Sequence, residues 1–140
     1  VVAGVGLVLA AVPALAHHAI AAQYDMDKAV ELTGTLKKME FINPLSGGHA
    51  MPTIAAFIQL LPKGSKTQPY RCTDGTVFSV VEGTGSALIG GQRFDFEPRD
   101  TFVVPSWVPL QIERQDQAVL FSFSDGPGQE AMGLWGEKRG

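Results

Sequence analysis

The chain has 140 residues, 45% hydrophobic and 18% charged, with a net charge of −3. That length holds one domain of ordinary size, able to bury a core without disulfides or metal, and the composition is globular. The acidic balance offers no basic field, which excludes nucleic acid as a partner, and a single cysteine, Cys72, excludes an intramolecular disulfide scaffold.

The first element is apolar. Val1 to Ala16 carries no charge and ends in Ala14-Leu15-Ala16, the small-x-small pattern that a signal peptidase accepts, so residues 1–16 are expected to be a signal-peptide-like segment. The stretch is too short for a comfortable membrane span and no basic flank follows it, so no stable membrane anchor is expected. Without an initiator Met or a positive leader, the chain is expected to start inside its reading frame. The competing reading is a buried helix or strand, which Gly4, Gly6 and Pro13 would weaken.

Residues 17–42 read as an arm. It opens on His17-His18, continues through a mixed polar stretch, and from Val30 to Ile42 alternates partially, which predicts one or two strands around Gly34. Asn43-Pro44 followed by Ser46-Gly47-Gly48 then breaks the chain, and a domain is predicted over 43–140. Within it, strands are predicted at Ile54 to Leu61, Val77 to Glu82, Ala87 to Ile89, Arg93 to Phe96, Thr101 to Val104, Leu110 to Arg114 and Val119 to Ser124. Gly90-Gly91 is a two-residue hairpin turn, because both positions can take positive φ. Pro98 and Pro105 belong at strand ends. Gln129 to Lys138 is expected to be a short packed helix or an extended tail. Short strands at even spacing with no long helical period make the domain all-β. The strand aromatics Phe94, Phe96, Phe102, Phe121 and Phe123, with Trp107, are read as core filling rather than a ligand cage. Cys72 is read as a buried small hydrophobe.

From Pro62 to Pro105 the order of signals follows the two-motif cupin layout: a Gly-rich polar loop, a strand ending in Glu82-Gly83-Thr84-Gly85, the Gly90-Gly91 hairpin, and a Pro98-Arg99-Asp100 turn. Four longer strings carry a closer likeness: 43–54 (NPLSGGHAMPTI), 70–78 (YRCTDGTVF), 102–107 (FVVPSW) and 119–125 (VLFSFSD). Together they resemble the C-terminal cupin of gentisate 1,2-dioxygenase. The resemblance implies a single cupin barrel, a double-stranded β-helix of jelly-roll type, over 43–140. The family it points to consists of bicupin enzymes that use Fe(II) and O2 to open the ring of gentisate, a small aromatic acid, with iron held by histidines of the N-terminal cupin. That half is absent from this sequence. The residues before Asn43 instead resemble, through Ala16-His17-His18, Ala21-Ala22-Gln23-Tyr24-Asp25 and Leu32-Thr33-Gly34-Thr35, the start of a family of small exported bacterial proteins of unassigned function. The chain therefore reads as a fusion around Phe41 to Pro44.

A metal-bearing cupin supplies imidazoles and a carboxylate, a donor set that suits Fe(II) with positions left open for substrate and O2. Aligning on Gly64 and Gly83 puts Tyr70 and Cys72 at the His-x-His positions, Val77 or its neighbour Thr76 at the Glu, and the last His near Leu110 to Ile112. The metal positions Tyr70, Cys72, Val77 and Leu110 thus read as degenerate, no cofactor is expected in this chain, and no catalytic residue is assigned. Glu82 reads as a turn carboxylate. His49 reads as structural or exposed. Arg71, Arg93 and Arg99 could grip a carboxylate bidentately but read as surface or turn residues. His17 and His18 make a separate metal candidate: cleavage after Ala16 would free an α-amine beside two imidazoles, a nitrogen set for copper.

The expected function is that of a gentisate dioxygenase-like cupin, structural or non-catalytic alone, acting as a homo-oligomer or with a metal-bearing cupin. The alternative is an exported small-ligand or copper-binding protein working through His17 and His18. The first predicts a cytoplasmic protein, the second a periplasmic or secreted one.

Overall fold

The alternation of apolar and polar residues organises the chain as strands whose inner faces share one core. The computed structural model describes residues 37–114 and 116–140; the signal-like segment, His17 and His18, and the strand expected ahead of residue 37 lie outside them. Among the described residues the strands, in chain order, are β1 (Lys37–Phe41), β2 (Ala55–Leu61), β3 (Tyr70–Cys72), β4 (Thr76–Glu82), β5 (Gly85–Ile89), β6 (Gln92–Phe96), β7 (Thr101–Val104), β8 (Leu110–Glu113), β9 (Ala118–Ser124) and β10 (Glu137–Arg139), with one short helix, α1 (Gly126–Ala131). They form two five-stranded antiparallel sheets, ordered β1-β2-β9-β4-β7 and β10-β3-β8-β5-β6.

Seven strands fall where the sequence pattern puts them, to within two residues at either end. The three-residue strands β3 and β10 are too short to carry a readable alternation. β1 pairs with β2 from Lys37 opposite Leu60 to Phe41 opposite Ala56, so the first sheet extends to residues ahead of Asn43. The helix starts earlier than the tail pattern suggested because Pro127 fits the first turn, where no N–H donor is needed.

β9 sets the geometry of the interior. Its inner residues are Ala118, Leu120, Ser122 and Ser124, while Val119, Phe121 and Phe123 point away from the core. Leu120 and Leu61, together with Phe78, Val80 and Val104, meet Ala87, Phe96, Leu110 and Ile112 of the facing sheet in one cluster. Each fully buried leucine there is worth about 1.5–3 kcal/mol of transfer free energy. Phe102 stacks between Phe78 and Phe96, with ring centroids 5.1 and 5.8 Å apart. The interior is therefore apolar at the Leu120 end and polar at the Ser124 end.

The expectation that all the strand aromatics fill the core needs correcting. Phe96 and Phe102 do, but Phe94, Trp107 and Phe123 are 46%, 45% and 40% exposed. Phe123 occupies an outward position of β9, Phe94 sits on the edge strand of its sheet, and Trp107 lies in a turn at φ 63°.

The Glu-Gly-x-Gly turn has a steric cause. The β4–β9 register shifts between Val80 and Glu82, and Gly83 follows at φ +83°, where a Cβ would lie 2.1 Å from the Gln117 carbonyl oxygen. Only glycine fits so close an approach at positive φ.

Candidate functional site

At the polar end of the interior the chain gathers Tyr70 and Cys72 from β3, Asp74 from the β3–β4 turn, Thr76 from β4 and Ser124 from β9. Asp74 is 7% exposed and is the hub. The Trp135 indole donates to its Oδ1 at 3.0 Å and Thr76 Oγ1 donates to its Oδ2 at 3.3 Å. The Cys72 thiol donates to the Asp74 carbonyl oxygen at 3.5 Å. Around this hub the tail is laced to the barrel: Gly136 N–H donates to Thr73 Oγ1, Gln129 Nε2 donates to the Thr73 carbonyl, and β10 pairs with β3. Asp125 accepts from the Gly75 N–H at 2.9 Å.

The titrating groups respond to this packing. Burial would raise the Asp74 pKa, but hydrogen bonds from Cys72, Ser124 and Trp135 outweigh it and hold the carboxyl below its ordinary value. Burial, reinforced by Asp74, pushes the Cys72 thiol up to about 11. Burial likewise raises Tyr70, helped by its contact with Cys72. At neutral pH the cluster holds a carboxylate beside a protonated thiol and a protonated phenol. Lys38 of β1 is exposed along its strand, yet its ammonium turns over the Phe57 ring, 3.7 Å from the centroid. Desolvation there lowers its pKa against the opposing pull of Asp74.

Tyr70, Cys72 and Leu110 come together on the inner face of the second sheet, with Tyr70 directly opposite Leu110. Val77 does not join them: it pairs with Val103 and Phe123 on the outer face, and its neighbour Thr76 takes the inner position. Leucine has no donor atom and Tyr70 and Cys72 bring no imidazole, so this set differs from the imidazole and carboxylate donors that suit a ferrous ion. Among the described residues no group of three or more His, Cys, Asp and Glu side chains could hold a metal ion. Lys38, Asp74 and Trp135 were missed from sequence. Lys38 is flagged only by its alternation with Glu40, and Asp74 and Trp135 lie 61 residues apart.

His49 lies outside this cluster. Its Nδ1 is 2.5 Å from Glu40 Oε1 and its Nε2 is 3.5 Å from Glu130 Oε2, so the ring ties β1 to α1. The hydrogen bond to Glu40 raises its pKa. Arg71 lies over the Trp107 ring and Arg93 pairs with Asp95. Arg99 occupies the Pro98-Arg99-Asp100 turn at φ 80°. Among the described residues no helix is long and apolar enough to cross a membrane.

Two antiparallel sheets closing on one core, with a polar inner end, define a cupin barrel. The fold is shared with the Schizosaccharomyces pombe Cnp3 cupin domain, at a TM-score of 0.58, 18% identity, and coverage of 76% of this chain and 77% of that one. A closer likeness follows in sequence. The chain is 57% identical over 102 residues to gentisate 1,2-dioxygenase 1 of Aquipseudomonas alcaligenes, covering 73% of this chain and 29% of that protein. The salicylate 1,2-dioxygenase of Pseudoaminobacter salicylatoxidans, solved with gentisate, superposes at a TM-score of 0.73 and 34% identity over 82% of this chain and 31% of its own. The barrel is thus a gentisate 1,2-dioxygenase-like cupin segment, and the chain spans about 29% of the length of that first relative. A family model described as "Family of unknown function (DUF6152)" matches residues 5–58. The two matches together exceed the chain, so they overlap.

Proposed function

We propose that the barrel is the non-catalytic cupin of a gentisate dioxygenase-like assembly, a structural half that needs a metal-bearing cupin to complete a site for a small aromatic acid. The observation that carries this reading is the Asp74 cluster. Where a metal-bearing cupin would present imidazoles, this one presents a protonated thiol, a protonated phenol and a carboxylate already engaged by Trp135 and Thr76. At these inner positions no imidazole is present to hold Fe(II). The barrel supplies instead a rigid body and sheet surfaces for a partner cupin or a second copy. Purified protein mixed with ferrous iron and gentisate is expected to give no maleylpyruvate absorbance. Robust turnover would overturn the reading.

A second reading rests on the family match over residues 5–58, which includes His17 and His18. In it, cleavage after Ala16 exports the chain, and the new amino terminus with the two imidazoles binds copper. Copper titration of a chain beginning at His17, against the uncleaved form and a His17→Ala variant, tests it. Equal affinity in the three proteins rejects it. Mass spectrometry of the mature amino terminus separates an exported from a cytoplasmic protein.

A further inference from the structure

Antiparallel sheets ordinarily bury one face and turn polar residues to water on the other. The sheet β1-β2-β9-β4-β7 does not. Its register aligns Phe41, Ala56, Phe123, Val77 and Val103 in one outward row, across all five strands. The next row holds Met39, Ile58, Phe121 and Ser79, and the third holds Lys37, Leu60, Val119 and Glu82. Met39, Phe41, Val103 and Phe123 are each at least 40% exposed. Phe121 joins Phe41 and Phe123 in an aromatic strip, its centroid 6.0 and 6.3 Å from theirs. Within the three rows charge stands only at the two ends of the third.

With about 4.8 Å between strands and 3.4 Å per residue, the face covers roughly 400 Å² before side-chain relief is counted. A patch of that size on a soluble domain marks an interaction surface. Accessible surface follows the relief and exceeds the flat area, so two such faces bury on the order of 1,000 Å², the lower bound of a specific interface. The face also fits itself. A twofold axis parallel to the strands, between β2 and β9, lays β1 of one copy over β4 of the other and β2 over β9, so that each row meets its own equivalent. Ala56 then faces Phe123 and Ser79 faces Met39, the smallest side chains of the rows against large ones. Lys37 faces Glu82, and every contact occurs twice, as an isologous interface requires. An axis across the strands would instead set Lys37 on Phe41 and Glu82 on Val77, stranding both charges on apolar surface.

We infer that this outward face is the docking surface for a second copy of the chain, closing a twofold dimer in which Lys37 of each copy pairs with Glu82 of the other. The two sheets pack face to face about 10 Å apart, within about 30° of aligned. The inference deepens the structural-half reading by naming the surface and the partner, and it rests on the barrel that reading describes. The two fail separately: turnover with ferrous iron and gentisate would overturn the first and leave the dimer standing.

Sedimentation equilibrium of the 140-residue chain at low ionic strength reads mass against concentration. The expected mass rises from one chain to two across the micromolar range and goes no further. Phe123→Asp is expected to stay a monomer with an unchanged far-UV circular dichroism spectrum. Lys37→Glu and Glu82→Lys should each weaken self-association roughly tenfold, because like charges then meet at both ends of the interface. Mixing those two variants is expected to restore it, since each supplies the charge the other lacks. A monomer at every concentration would mean that another occupant covers the face, residues 1–16 of the same chain or a metal-bearing cupin, and would overturn the proposal. Growth past two chains, or a dimer that Phe123→Asp leaves intact, would overturn it too. Should Phe123→Asp fail to fold, the charge variants decide alone: unchanged association of either, or no recovery on mixing, refutes the twofold pairing.

Discussion

Trp135→Phe isolates the bond that closes the polar end of the barrel. The substitution keeps an aromatic ring and most of its packing but deletes the N–H that reaches Asp74 Oδ1 at 3.0 Å. A hydrogen bond to a charged group is worth about 1.5–3 kcal/mol, and because Trp135 is itself 38% exposed, water can partly replace the donor. The expected loss is therefore near the lower end, about 1.5 kcal/mol at pH 7. The sign of its pH dependence follows from Asp74, whose folded pKa lies below its ordinary 3.8. A depressed carboxyl contributes stability above the unfolded value and loses it as pH falls through the folded one. The difference between wild type and Trp135→Phe should hold at pH 7 and shrink as pH falls below 3.8 and through the folded value, where Asp74 becomes neutral in both states. Urea denaturation at pH 7 and at the acid end of that range measures it. A difference of the same size at both, or none at pH 7, would refute the claim that Asp74 acts as a charged acceptor for the tail.

Three further outcomes test the barrel itself. Leu120→Ala, at a position with no exposure, should cost about 2–5 kcal/mol in chemical denaturation with an unchanged m-value. Gly83→Ala should lower stability by at least about 1–3 kcal/mol, the ordinary cost of strain at positive φ, because its Cβ also meets the Gln117 carbonyl; an unaffected midpoint would show that the turn can move aside. For His49, NMR titration should give a pKa above 6.5 that returns toward that value in Glu40→Gln. Since the folded pKa is raised, the clasp stabilises fully below about pH 6.5 and fades as pH rises through the folded value, and a pH-independent effect of His49→Ala on the melting temperature would contradict it.

The all-β architecture and most strand positions were legible because alternation and turn chemistry are local signals. Gly83, Gly90-Gly91 and Pro98 mark turns by what their backbones can and cannot do, and those turns stand in the structure. The face of a residue was harder to read. Phe121 and Phe123 alternate with Leu120 and Ser122, and composition favours the two phenylalanines for the core, yet the register buries the serines and leaves Phe123 exposed. Register is set across strands, and the partner strands β2 and β4 lie far from β9 in sequence. The candidate site was legible at Tyr70, Cys72 and Leu110, which share an inner face, but its hub was not. Asp74 reads as a turn residue until Trp135 is brought to it from the tail.

If the barrel binds no metal, as proposed, that hub supplies the ties at its polar end. A metal ties neighbouring strands through its ligands, and loss of those ligands would leave polar residues facing an interior that water fills imperfectly. Here Asp74 ties the β3–β4 turn, β4 and the tail through Thr76 and Trp135, while the Cys72 thiol adds its bond from β3. The Asp74 carboxylate and the Cys72 thiol thus have protein partners. If the cluster replaces the metal in this sense, Asp74→Ala should open the polar end and detach β10, and added ferrous iron should not restore it. Hydrogen exchange of the β10 amides reads that detachment directly, and rescue of their protection by iron would show instead that the cluster had kept a metal site.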